Sequence, residues 1–188
     1  MSRMFVAVIP PEEAVEDLDD FLSVRRSAAA ASDGRWRWAP SHSFHVTLAF
    51  AAHVPEQAFE SLCERLESAA GKHAAYDTRI VGGGAFPDPD RAKVLVAGLE
   101  GSFDDLAAAS RRAASTAGVA VDGQRFRAHV TLARLGRPAN VTRWVRLLDT
   151  YAGPTWQVSE MALVESHLGE GPRRGPRHEV RATFPLSA

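Results

Sequence analysis

The chain has 188 residues, 45% apolar and 24% charged, with a formal net charge of −1. That length supports one domain or two small lobes sharing a core, and the near-zero charge excludes a bulk field that would gather long nucleic acid. Cys63 is the single cysteine, which excludes an internal disulfide and a thiolate zinc cluster.

The one early apolar run, Met4–Pro11, is too short to span a membrane and lacks the order of a signal peptide, so a cytoplasmic protein is expected. Arg3–Ile9 reads as a strand. Pro10-Pro11 closes it, and Pro11 suits the first turn of a helix over Glu12–Ala31 whose apolar stripe is Val15, Leu18, Leu22 and Val24. Ser32-Asp33-Gly34 breaks that helix. Trp36, Trp38 and Pro40 then lead into an alternating stretch, Phe44–Phe50. A second helix opens at Val54-Pro55-Glu56, carries Phe59, Leu62, Cys63 and Leu66 inward, and closes at Gly71. Cys63 is read as buried there.

Thr78–Phe86 reads as a strand interrupted by Gly82-Gly83-Gly84. Because that glycine run leads to Phe86-Pro87 and not to a helix, it is read as a bulge or a close backbone approach instead of a phosphate cradle. Ala92–Leu99 is a strand. Ser102 caps a helix running to Ala117, and Gly118 ends it. Arg125–Leu135 is a strand, and Thr142–Tyr151 is a short helix with Trp144, Leu147 and Leu148 inward. Thr155–His167 is a strand, residues 169–175 form a polar loop with Arg173 and Arg174, and Arg177–Phe184 is the last strand. This order predicts an α+β fold with largely antiparallel sheets, built as two similar halves without a flexible linker, one bilobal unit over 1–188.

The word His-Val-Thr-Leu-Ala occurs twice, at 45–49 and at 129–133. Both copies read as strands. In each, the period of two puts the His and the Thr on one face and the Val and Leu on the other. Each copy therefore presents an imidazole and a hydroxyl together while gripping a core. One such pattern is ordinary sheet surface, but two in matching contexts point to function. With an ordinary pKa near 6.5, one imidazole is neutral while another is protonated, so the pair His45 and His129 could supply a general acid and a general base on one phosphodiester, the residue types alone not assigning which is which. Thr47 and Thr131 could then donate hydroxyls to non-bridging phosphate oxygens.

A metal site is a poor rival, since neither His has a nearby third ligand and no His-Glu-x-x-His spacing occurs. His42, His53, His73, His167 and His178 lack such a pairing and are read as surface or structural. Arg125 and Arg127 share parity with His129. Arg134 lies an odd number of residues from it and reaches the same face only if the strand bulges. The 22 basic residues include only two lysines, Lys72 and Lys93. That arginine bias suits phosphate, but it is read first as a coding bias that also gives the many alanines, and it carries little weight.

The two words resemble the signature motifs of the two-histidine phosphoesterases, and within them of the LigT-like RNA 2′,3′-cyclic phosphodiesterases, the ThpR family. Similar segments are Arg3–Ala7 followed by Pro10, Arg37–Pro40, Gly84–Pro87, Phe126–His129, Leu163–Ser166 and Phe184–Leu186. The resemblance implies two pseudo-symmetric lobes with helices on their outer faces and the His-x-Thr strands facing across a central cleft. It implies hydrolysis, without metal or cofactor, of an RNA terminal 2′,3′-cyclic phosphate to a 2′-phosphomonoester, with a reverse activity forming 2′–5′ linkages. His45 would be the proton donor and His129 the proton acceptor, with Thr47, Thr131 and Arg134 holding the phosphate. A monomer acting on RNA ends or nucleotides, and not on a membrane, is expected. Ala128, Val6, Val96 and His178 depart from frequent family residues. Two other readings compete: a phosphate- or RNA-end-binding module with little catalysis, and a phosphodiesterase for small cyclic nucleotides or ADP-ribose cyclic phosphate.

Overall fold

The computed structural model describes residues 2–30, 36–171 and 175–188. The predicted break at Ser32-Asp33-Gly34, and Arg173 and Arg174, lie outside the described residues. Four α-helices and ten strands make an α+β fold: β1 Ser2–Val8, α1 Glu12–Ala30, β2 Trp36–Trp38, β3 Val46–Val54, α2 Phe59–Ala70, β4 Tyr76–Thr78, β5 Ile80–Phe86, β6 Ala92–Leu99, α3 Asp104–Thr116, β7 Val130–Ala139, α4 Thr142–Leu148, β8 Trp156–Val158, β9 Glu160–His167 and β10 Arg177–Pro185. No helix among the described residues is long and apolar enough to cross a membrane.

Eight strands form one antiparallel sheet in the order β10-β9-β1-β3-β7-β6-β5, with β2 also paired to β7. Alternation along β1 explains how the sheet uses its faces. Met4, Val6 and Val8 enter the main core together with Leu18 and Leu22 of α1, Leu62 and Leu66 of α2, and Leu106 of α3. Phe5 and Ala7 point the other way, into a small apolar cluster with Ala162, Val164 and Phe50. The helices thus cover one face, and the other carries a bare floor.

Helices α2 and α3 pack on the β10-β9-β1-β3 half. Helix α4 packs on β5, and α1 reaches the same half through Phe21 against Tyr151 and a Tyr151–Asp17 hydrogen bond of 2.6 Å. The two halves in space are therefore not the two halves of the sequence. β1 sits in one, α1 and β2 in the other, and β3 returns to the first. The crossing is reciprocal: Ala39 N–H donates to Leu132 O on β7 and Asp122 N–H donates to Phe50 O on β3, both at 2.9 Å. Each His strand is flanked by the segment that leads into the other.

Most predicted elements are present, and the following differ. Val24, read into the apolar stripe of α1, is 75% exposed. Helix α3 starts at Asp104 with Phe103 before it, so Ser102 is not its cap. Thr78 ends β4 and does not open β5. The stretch read as one strand over 155–167 is two, because β8 leaves the main sheet to pair with β4. Strand β7 begins at Val130, and 125–129 is irregular backbone. Cys63 is half-buried, on the flank of α2. The glycine run behaves as expected. Gly82 has φ +68° and is the extra residue in the β5–β6 ladder, while Leu148 of α4 comes so close to Gly83 that a Cβ there would stand 2.5 Å from the Leu148 Cβ. Gly118 ends α3 with φ +76°, its N–H donating to Ser115 O and that of Val119 to Ala114 O.

Candidate active site

The two repeated words meet at the centre of the sheet. Strands β3 and β7 share a single antiparallel pair, Val46 with Val130. Both valines are fully buried. They face the helices, so His45 and Thr47, and likewise His129 and Thr131, lie on the bare face. An antiparallel pairing about that point sets His45 alongside Thr131 and Thr47 alongside His129, a reciprocal arrangement about a local twofold.

The imidazoles are held alike. His45 Nδ1 lies 2.7 Å from Ser43 O, and His129 Nδ1 lies 2.6 Å from Arg127 O. A carbonyl can only accept, so Nδ1 carries the hydrogen in both rings. The Nε2 atoms are left with a lone pair when the ring is neutral. Each Nε2 can take a proton, and each can give one once charged.

Matching irregularities fall inside both words, at the leucine. The β1–β3 ladder passes from Val6–Ala49 to Ala7–Thr47, leaving Leu48 as an extra residue. The β6–β7 ladder passes from Leu95–Ala133 to Val96–Thr131, leaving Leu132 extra. Each bulge reverses the alternation beyond it. Arg134, which a regular strand would turn towards the helices, is thereby turned to the face of His129. Its exposure and the exclusion of Ala133 and Leu135 from solvent agree. Phe50 takes the equivalent place after His45, covered by the Arg3 guanidinium 4.4 Å from its ring centre.

Burial pushes the His45 pKa from 6.5 down to about 4, opposed by the Ser43 carbonyl and reinforced by the positive charges of His178, His129 and Arg134. Burial also lowers His129, again opposed by its own backbone bond, with Arg134 and then Arg127 adding to the effect. The charge of Arg134 is felt at both imidazoles. Arg127 lies over the Phe86 ring at 5.0 Å, and Phe86 meets the His129 ring edge-on at 4.9 Å. Arg125 is exposed beside the start of α3, in a groove with Gly101, Phe103 and Asp104.

Two contacts escaped the sequence. Phe5 stacks on His45 with ring centres 4.6 Å apart. His178, read from the sequence as surface or structural, sits edge-on to His45 at 5.3 Å and to Phe5 at 5.1 Å. Only the period of β10, which puts His178 on the bare face opposite Ser166, could have placed it. His42, His53, His73 and His167 make no such contact with the two rings. Among the described residues no group of three or more His, Cys, Asp or Glu could hold a metal ion.

Residues 10–170 match the family model described as the 2′-5′ RNA ligase superfamily. An RNA 2′,3′-cyclic phosphodiesterase of Aeropyrum pernix is 34% identical over 148 residues, covering 74% of this chain and 82% of that protein. One of Geobacillus stearothermophilus is 27% identical over 190 residues, covering 98% of this chain, which spans 57% of that protein's length. Among solved structures, a protein of Thermus thermophilus superposes with a TM-score of 0.76 at 28% identity, covering 98% of this chain and 97% of that one.

Proposed function

Since this chain belongs to the 2′-5′ RNA ligase superfamily, we propose that it hydrolyses the 2′,3′-cyclic phosphate at an RNA end to a 2′-phosphomonoester, with His45 as proton donor and His129 as proton acceptor. The observation that carries this reading is the matched tethering of the two imidazoles. Both Nδ1 atoms are spent on backbone carbonyls, which leaves two Nε2 atoms for the chemistry.

Water attacks phosphorus in line with the bond to the 3′ oxygen. His129 Nε2 takes the proton from that water as the new P–O bond forms. The P–O3′ bond breaks, and His45 Nε2 gives its proton to the departing 3′ oxygen, leaving the phosphate on the 2′ oxygen. Thr47 and Thr131 donate hydroxyls to the non-bridging oxygens, and the Arg134 guanidinium offsets the charge that builds there. When a 5′-hydroxyl replaces water, the same steps form a 2′–5′ linkage.

The low His45 pKa fits a donor that loads its proton together with its substrate. The groups whose charges depress it are all cationic, and a phosphate anion entering among them supplies the missing negative charge.

Turnover of an oligoribonucleotide ending in a 2′,3′-cyclic phosphate, measured in EDTA, tests the proposal. Cleavage to the 2′-phosphate is expected, and His45→Ala and His129→Ala should each lose roughly 10²–10⁴-fold in rate. No product from any cyclic-phosphate substrate, or full activity in both variants, overturns it.

A further inference from the structure

Arg37 takes no part in the chemistry above, yet the sheet places it beside Arg134. Strand β2 pairs with β7 so that Trp36 faces Leu135, Arg37 faces Arg134 and Trp38 faces Ala133. The two tryptophans settle which face is which. They stack on each other at 5.3 Å and lean on Trp144 of α4 at 5.7 and 5.1 Å, on the helix side. Arg37, between them in sequence, therefore points to the bare face.

It stands there directly across from Arg134, which the bulge at Leu132 turns to that same face. Like charges opposite each other in a ladder are unfavourable. Both arginines are exposed, and among the described residues neither has a carboxylate partner. Two guanidinium forks on opposed residues of one ladder, with no carboxylate partner among the described residues, suit phosphate oxygens, which accept from such forks in pairs. Arg134 lies close enough to the imidazoles for its charge to act on both, and Arg37 lies one strand further along from it.

We propose that Arg37, standing beside Arg134, holds the backbone phosphate next to the scissile one that Arg134 faces, so that the site selects an oligoribonucleotide end over a free cyclic nucleotide. This rests on the cyclic-phosphate reading given above. A free 2′,3′-cyclic nucleotide has a single phosphate and leaves the Arg37 fork empty. An RNA end fills it, in the manner of basic grooves that track a single-stranded backbone.

The test compares kcat/KM on 2′,3′-cyclic AMP with that on a short oligoribonucleotide ending in the same cyclic phosphate. Arg37→Gln should lower the ratio of oligonucleotide to mononucleotide activity about tenfold, the loss of one charge-assisted contact. Arg37→Lys should restore part of it. Arg112→Gln, on the exposed side of α3, removes the same net charge and should leave the ratio alone. An unaltered ratio in Arg37→Gln overturns the proposal, whether both activities fall together or neither falls. Fluorescence anisotropy with a 3′-phosphorylated oligoribonucleotide separates this outcome from failure of the catalytic reading, because it needs no turnover. There Arg37→Gln should weaken binding about tenfold and flatten the salt dependence by about 0.7 in log–log slope, and unchanged affinity and slope would count against Arg37 even in an inactive protein.

Discussion

Acidification should destabilise this protein through His45 in a way that one substitution removes. Burial, and behind it the charges of His178, His129 and Arg134, hold the folded pKa of His45 at about 4 against 6.5 for an ordinary histidine. The folded value lies below the unfolded one, so the unfolded chain takes up the proton first as pH falls. The stability that His45 contributes is complete above pH 6.5 and drains away between there and about pH 4. Linkage puts the loss at about 2 kcal/mol by pH 5 and about 3 kcal/mol by pH 4. His129 and His178 are lowered as well and act in the same sense. Glu165 and Glu179, held below the usual carboxylate range by their partners, lose their share at still lower pH. The diagnostic quantity is therefore the difference between wild type and His45→Gln, measured by urea unfolding followed through tryptophan fluorescence at pH 7.5, 6 and 5. Wild type should lose about 2 kcal/mol relative to the variant across that range. Parallel curves would refute the account of a neutral, fold-held imidazole.

Two more outcomes can be checked directly. Arg134→Gln should lower kcat/KM on cyclic-phosphate substrates roughly 10- to 100-fold and move the acid limb of the pH profile upward, because a positive charge leaves the vicinity of both imidazoles. Unchanged steady-state kinetics would remove Arg134 from the site. Gly83→Ala should cost about 1–3 kcal/mol and lower Tm by roughly 5 °C, since the new Cβ would meet the Leu148 Cβ at 2.5 Å, whereas Gly123→Ala, with nothing within 4 Å, should melt like wild type.

The repeated word was legible because its parity is local: four residues of alternation decide which face a His and a Thr share. Arg134 was legible only conditionally. Its position depends on whether Leu132 is an extra residue, and that is settled by the partner strand and not by β7 itself. Gly82 and Gly83 announced a bulge through composition. What the sequence could not carry is who stands beside whom across the sheet. The edge-on contact of His178 with His45 is set by β9 and β1 intervening between β10 and β3. Arg37 faces Arg134 because β2 crosses to the other His strand. The division of 155–167 into β8 and β9 follows from the recruitment of β8 by β4, a pairing between segments with no shared signal.

The interleaving of the two halves has a cost during synthesis. Phe5 pairs with Phe50 on one side and with Val164 on the other. While a ribosome is still making the middle of the chain, β1 and β3 have emerged as an apolar hairpin-like pair whose outer edge lacks its neighbour until β9 follows. Pairings so distant along the chain slow folding, and an open strand edge invites association with other nascent chains. Translation that pauses before Met161 would leave that edge bare, so a chaperone's protection should matter most for incomplete chains that already carry both His motifs.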